Sequence, residues 1–172
     1  MAPTLFDFDA KPGDLIEIFR GTYEHWAIYI GGNEVIHLIP SNGHYHGLLM
    51  FVDTDRAQVK RQKIWEVVGH HRFEINNFLD HKYEPHERRI IVRDACSMVG
   101  QELQYSLATH NCEHFVTELR YGKPESRQVS FLCYFFTYFI DVSGKGILRA
   151  DWMNFGGKVC RVSDWMDWWA WR

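Results

Sequence analysis

The sequence predicts an α+β fold, with an antiparallel sheet packed on helices. Three observations carry that reading. Between residues 15 and 39, short β-branched and aromatic runs are separated by turn signals. Two helical patterns follow, over residues 85–99 and 111–121. Strands gathered first with helices after them give the order of an α+β domain, not of alternating βαβ units.

The elements follow in order. Residues 1–10 read as a lead-in. Lys11-Pro12-Gly13-Asp14 is a turn, and residues 15–19 (LIEIF) form a first strand. Residues 25–30 (HWAIYI) form a second strand, Gly31-Gly32-Asn33 a hairpin loop, and residues 34–39 (EVIHLI) the return strand. Residues 40–47 are a loop. Residues 48–52 and 57–60 read as further strands, and 64–68 and 73–76 as weaker ones. Pro85 opens a helical pattern in which Ile91, Ala95, Met98 and Val99 recur at three and four residues, ending near Gly100. A second helix covers 111–121, with Phe115, Val116 and Leu119 on its apolar face and Gly122 as C-cap.

Beyond this, residues 128–140 (QVSFLCYFFTYFI) carry no charge. Thirteen such residues fall short of the roughly 20 that an upright membrane span needs. Two readings stand: a buried or partner-covered helix, or an element at a membrane interface. Five of the seven tryptophans lie in the last 21 residues, and Trp favours the headgroup region. The chain therefore divides into a lead-in (1–10), a main domain (11–127) and an apolar, Trp-rich segment (128–172).

Composition narrows the function. A formal charge of −3, from 19 basic and 22 acidic residues without a basic stripe, argues against nucleic acid as a partner. The N-terminus has neither the basic start nor the apolar stretch of a signal peptide, so the expectation is a cytoplasmic, reduced protein. The four cysteines (Cys96, Cys112, Cys133 and Cys160) are widely spaced and contain no C-x-x-C pair. In a reducing setting a cysteine serves packing, metal binding or catalysis rather than a disulfide.

Cys112 stands where a polar loop turns into an amphipathic helix. A thiolate there is stabilised by unpaired backbone N–H groups and the positive end of the helix dipole. A cysteine nucleophile needs a base, usually His, and a third group to orient it. Ten histidines are available, and His25 and His37 are the two that sit in the best strand segments. With a three-residue loop, Ala27 faces His37. The two histidines then share one face as diagonal neighbours, about 7–8 Å apart at the backbone. With a two-residue loop the register slips and they face opposite sides. The plain alternatives are a small core cysteine and structurally satisfied strand histidines. Cys112 and His114 form a C-x-H pair, but no second pair has zinc-site spacing.

Asn111-Cys112-Glu113-His114-Phe115-Val116, followed by Leu119-Arg120-Tyr121-Gly122, resembles the lecithin:retinol acyltransferase-like family. It is closest to the HRAS-like suppressor branch of phospholipase A and acyltransferase enzymes. Residues 11–20 (KPGDLIEIFR), 25–31 (HWAIYIG) and 35–38 (VIHL) look like the same family's N-terminal signature. The resemblance spans roughly residues 10–127. It implies a permuted papain-like, NlpC-like thiol hydrolase fold, with no metal and no cofactor. It implies Cys112 as the nucleophile that forms an acyl-thioester, His25 as base and His37 as the residue that orients it. Tyr105 falls where the family has a tyrosine assigned to oxyanion support, and Asn111 is a second support candidate. The backbone N–H of Cys112 is a further oxyanion donor.

The activity expected from the resemblance is a phospholipase A1/A2 and acyltransferase. It would act on glycerophospholipids such as phosphatidylcholine and pass the acyl group to water, a lysophospholipid or the amine of phosphatidylethanolamine. The family's longer hydrophobic tail is replaced here by the short apolar run and Trp168-Trp169-Ala170-Trp171-Arg172, which fits peripheral rather than permanent membrane association. The rivals are a non-catalytic interaction module on the same scaffold and a thiol peptidase or amidase.

Overall fold

A computed structural model of the chain describes residues 9–21, 23–41, 55–106, 109–127, 152–155 and 158–161. The chain divides into two compact units, Met1–Ser126 and Arg127–Arg172. Within the first, six strands form one sheet: β1 (Leu15–Phe19), β2 (Glu24–Gly31), β3 (Glu34–Pro40), β4 (Arg56–Lys63), β5 (Phe73–Ile75) and β6 (Glu102–Gln104). Their order is β5-β1-β2-β3-β4-β6 and every pairing is antiparallel. Three helices complete the unit: α1 (Ile64–Val68), α2 (Arg88–Met98) and α3 (Cys112–Tyr121). The α+β class, with an antiparallel sheet on helices, is therefore present.

Strand alternation creates two cores. Leu15, Trp26, Ile28, Ile36, Leu38, Ala57 and Val59 point to one face and meet Ile91 and Ala95 of α2 and Phe115 and Val116 of α3. Ile16, Ile18, Ala27 and Val35 point to the other and meet Ile64, Val67 and Val68 of α1. The sheet is thus covered on both sides.

The segment 64–68 corrects the sequence reading, which expected a strand. Its buried residues Ile64, Val67 and Val68 are spaced as one face of a helix, while Trp65 and Glu66 are exposed. A short apolar run carries no periodicity that separates the two, and here the second core recruits it as a helical lid. Strand β4 runs on to Lys63 through polar residues, further than the expected end at residue 60. Strand β6 was not expected at all. The expected loop at 40–47 and strand at 48–52 lie almost wholly outside the described residues, as does the apolar run 128–140.

The second unit contains a two-stranded antiparallel sheet, β7 (Trp152–Phe155) paired with β8 (Lys158–Arg161), in the register Trp152↔Arg161 to Phe155↔Lys158.

Candidate active site

Helix α3 begins at Cys112, and Asn111 is its N-cap. The Asn111 side-chain oxygen accepts from the backbone N–H groups of Glu113 and His114, both at 3.0 Å. The His114 ring returns the bond by accepting from the Asn111 N–H, so a histidine fills the place usually held by Glu or Gln in a capping box. At the other end Gly122 adopts φ +66°, and a Cβ there would lie 3.2 Å from the His86 ring. Glu113 is fully buried, and its carboxylate accepts from the Ser126 hydroxyl at 2.6 Å. Asn111 Nδ2 donates to that same hydroxyl at 3.0 Å. The start of α3 is therefore fixed by side chains on both sides of Cys112.

That anchoring aims the thiol at β2. Cys112 is 3 % exposed. Its Sγ points at the Glu24 carbonyl oxygen, 4.0 Å away, and the Trp26 N–H donates toward the sulfur. The β2–β3 ladder ends at Ala27↔His37, so the backbone of Glu24 and Trp26 lies beyond it. The sulfur occupies that opening, against the two residues that flank His25.

The hairpin brings the two histidines to one face by a route the sequence reading did not foresee. The turn has two residues, Gly32 and Asn33, with φ +60° and +59°, the positive values a type I′ turn requires. A regular ladder from Gly31↔Glu34 would set His25 and His37 on opposite faces. A bulge between Tyr29 and Gly31 absorbs one residue, and the register resumes as Tyr29↔Val35, Ile28↔Ile36 and Ala27↔His37. The Ala27↔His37 pairing is the one expected, although the loop is shorter. His25 Nε2 then lies 2.7 Å from His37 Nδ1. His37 Nε2 lies 2.9 Å from Gln62 Oε1 of β4.

Cations flank the pair. Arg20, at the end of β1, is two residues from Ile18, the register partner of His25, and donates to the Val67 carbonyl at 2.5 Å. Lys60 of β4 is the register partner of His37. Burial and both neighbours disfavour protonation. His25 is held well below the ordinary imidazole range by burial, His37 and Arg20. His37 is pushed down to about 4, chiefly by burial, with Arg20 and Lys60 adding and Gln62 opposing. Burial pushes the Cys112 thiol up to about 12, the neighbouring Glu113 carboxylate adding to it and the Trp26 N–H working against it. The resting groups are thus a neutral thiol and neutral imidazoles.

Tyr105, just after β6, is buried in the same core as Cys112. Burial raises its phenol, and the Cys112 and Tyr23 charges add to the shift, which sets it close to the sulfur. Asn111 is spent on the cap and on Ser126. His114 is buried in the cap rather than at the surface. Among the described residues no three His, Cys, Asp or Glu side chains are grouped to hold a metal ion. Gln62 and Arg20 escaped the sequence reading. Arg20 carried a signal, since it is the first residue after β1 and the turn returns it beside His25. Gln62 carried none, because a long connection hides the β3–β4 register.

Comparison with known proteins adds an independent line. Residues 9–125 match the family model described as lecithin retinol acyltransferase. The chain is similar to phospholipase A and acyltransferase 4 of Homo sapiens, at 49 % identity over 124 residues, covering 70 % of this chain and 76 % of that one. It is similar to phospholipase A and acyltransferase 3 of Mus musculus, at 48 % identity with the same coverage. It is also similar to phospholipase A and acyltransferase 2 of Homo sapiens, at 45 % identity over 121 residues, covering 69 % and 75 %.

Proposed function

This chain belongs to the lecithin retinol acyltransferase family, and from that premise we propose that it is a thiol acyltransferase and phospholipase acting on glycerophospholipids. The observation that carries the proposal is the seating of Cys112 Sγ against the backbone on either side of His25, with His25 bonded to His37 at 2.7 Å. The names of the relatives supply the substrate class.

In this mechanism Cys112 attacks the carbonyl carbon of an sn-1 or sn-2 ester while His25 takes the thiol proton. With the thiol pushed up to about 12, that proton leaves as the S–C bond forms rather than from a standing thiolate. The tetrahedral oxyanion meets the Cys112 N–H, since Asn111 Oδ1 occupies the N–H groups of Glu113 and His114. Tyr105 supports the same region, and Asn111 holds the helix start in place. Collapse breaks the ester C–O bond, and the proton on His25 passes to the departing lysophospholipid oxygen. The acyl-thioester is then cleaved by water, by a lysophospholipid hydroxyl or by the amine of phosphatidylethanolamine, with His25 again as base. None of these steps calls for a metal or cofactor.

The same reading makes the fold a permuted papain-like one, with the nucleophile on a helix start and the histidines on a sheet. It places the protein in the cytoplasm, at a membrane surface from which it draws phosphatidylcholine or phosphatidylethanolamine. No helix among the described residues is long and apolar enough to cross a membrane.

Intact-protein mass spectrometry after brief exposure to phosphatidylcholine vesicles tests the proposal. The expected product is a hydroxylamine-labile adduct of one fatty-acyl mass on Cys112. Neither adduct nor free fatty acid would turn the reading toward a non-catalytic interaction module. Cleavage of a peptide or isopeptide instead would turn it toward a thiol amidase.

A further inference from the structure

We propose that Gln62 is a positioning residue that sets the tautomers of both imidazoles, so that His25 offers its Nδ1 lone pair to the thiol. The inference rests on the assignment of His25 as the base.

The argument is a chain of donors and acceptors. Gln62 presents its carbonyl Oε1 to His37 Nε2 at 2.9 Å. A carbonyl oxygen only accepts, so His37 Nε2 carries the proton. A neutral imidazole has one N–H, so His37 Nδ1 is then an acceptor. Its neighbour at 2.7 Å, His25 Nε2, must donate. His25 therefore holds its single proton on Nε2, and Nδ1 is left with a lone pair. Reversing the Gln62 amide reverses every link. Its NH2 would donate to His37 Nε2, His37 Nδ1 would donate to His25 Nε2, and the remaining proton of His25 would sit on Nδ1. A base in that state cannot accept the thiol proton. Geometry fixes Gln62 in reach: it is the register partner of Val35, two residues before His37, and so lies diagonally across the same sheet face.

During the attack the thiol proton moves to His25 Nδ1, and His25 keeps its Nε2–H bond to His37. No proton needs to leave Gln62 or His37. The amide thus acts as a fixed acceptor at the end of the row, beyond the reacting atoms.

The test begins with the imidazole nitrogen spectrum of the ¹⁵N-histidine-labelled protein, assigned with His25→Gln and His37→Gln. Both rings are expected as Nε2–H tautomers. Gln62→Leu, which removes the acceptor, is expected to slow acyl-Cys112 formation by roughly tenfold to a hundredfold with little change in KM. Gln62→Lys, a donor only, should be at least as slow. Gln62→Glu restores the acceptor and should recover the rate to within about threefold. Its carboxylate favours the imidazolium, so the acid limb of the pH profile moves upward. Comparison of Glu with Lys, both polar, keeps the test decisive if the Leu variant fails to fold. A proton on His25 Nδ1 in the unmodified protein, or folded Leu and Lys variants with an unchanged rate and pH profile, would overturn the proposal. The tautomers are read without substrate. If the unmodified protein forms no acyl adduct, the functional assignment fails and the spectrum still decides the role of Gln62.

Discussion

His25 and His37 are bonded to each other at 2.7 Å although the turn joining their strands has only two residues. One bulged residue restores the parity that places them on one face. The candidate site therefore depends on an irregularity in the backbone as much as on the identity of its side chains.

Gly31 sustains that irregularity with φ +91°, and a Cβ added there would meet Pro12 at 3.4 Å. We expect Gly31→Ala to cost about 1–2 kcal/mol, because at positive φ a Cβ crowds its own backbone. Phospholipid turnover should fall by more than this loss of folded protein explains. Urea titration and activity on the same samples would check it. Equal stability with equal turnover would mean that the bulge does not govern the pair.

Cys112→Ser is close to isosteric, so the fold should survive with a thermal midpoint within a few degrees of the unmodified protein. Acyl-enzyme formation and fatty-acid release should drop to background. Retained turnover in the serine variant would remove Cys112 as nucleophile.

His25→Gln removes the base and should lower kcat/KM by roughly 10²–10⁴, the range that general-base catalysis supplies. His37→Gln keeps a polar group in the row and should lose less. A His37 variant more impaired than the His25 variant would reverse the two assignments.

Stability should respond to acid through the same pair. Both folded imidazoles titrate below the ordinary 6.5, His37 at about 4. Between those limits the unfolded chain binds more protons, so stability rises with pH there. The contribution is complete above about pH 6.5 and is lost as the pH falls toward 4. Arg20 and Lys60, which face the pair from β1 and β4, act in the same direction. Urea midpoints measured from pH 7.5 to 4.5 should show this slope, flattened in the His25→Gln, His37→Gln double variant. An unchanged slope in the double variant would assign the acid sensitivity elsewhere.

Asn111→Ala removes a cap that satisfies two backbone donors and should cost about 1–2 kcal/mol. Asn111→Asp keeps the oxygen that accepts from both backbone N–H groups but loses the donor to Ser126, so it should cost less than the alanine variant without being neutral. Activity lost in the alanine variant but kept in the aspartate variant would show that the cap serves by holding Cys112. A cap variant as stable as the unmodified protein would contradict the hydrogen-bond geometry.

Much of this was legible in the residues. Strand β1 and the span and C-cap of α3 follow from alternation and helical spacing, because those signals are local, whereas the expected Ala27↔His37 pairing is reached only through a bulge that no local signal announced. What escaped is non-local. The run Ile64-Trp65-Glu66-Val67-Val68 is too short for its period to speak, and the core facing it decides its helicity. Strand β6 exists because β4 offers it an edge. Gln62 enters the site through a strand pairing that sequence spacing does not encode. The buried Glu113 carboxylate beside the nucleophile meets the Ser126 hydroxyl, thirteen residues on.

The link to Ser126 also has a mechanical side. The hydroxyl of Ser126 bridges Glu113 and Asn111, and one residue earlier Glu125 exchanges two 2.9 Å bonds with Thr117. The chain leaves its first unit through this fastening, whose Ser126 end bonds the two residues on either side of Cys112. A pull on the polypeptide beyond it is borne first by the bonds that hold the helix start in place. The hydroxyl that closes the first unit is therefore also one that steadies the helix start carrying Cys112.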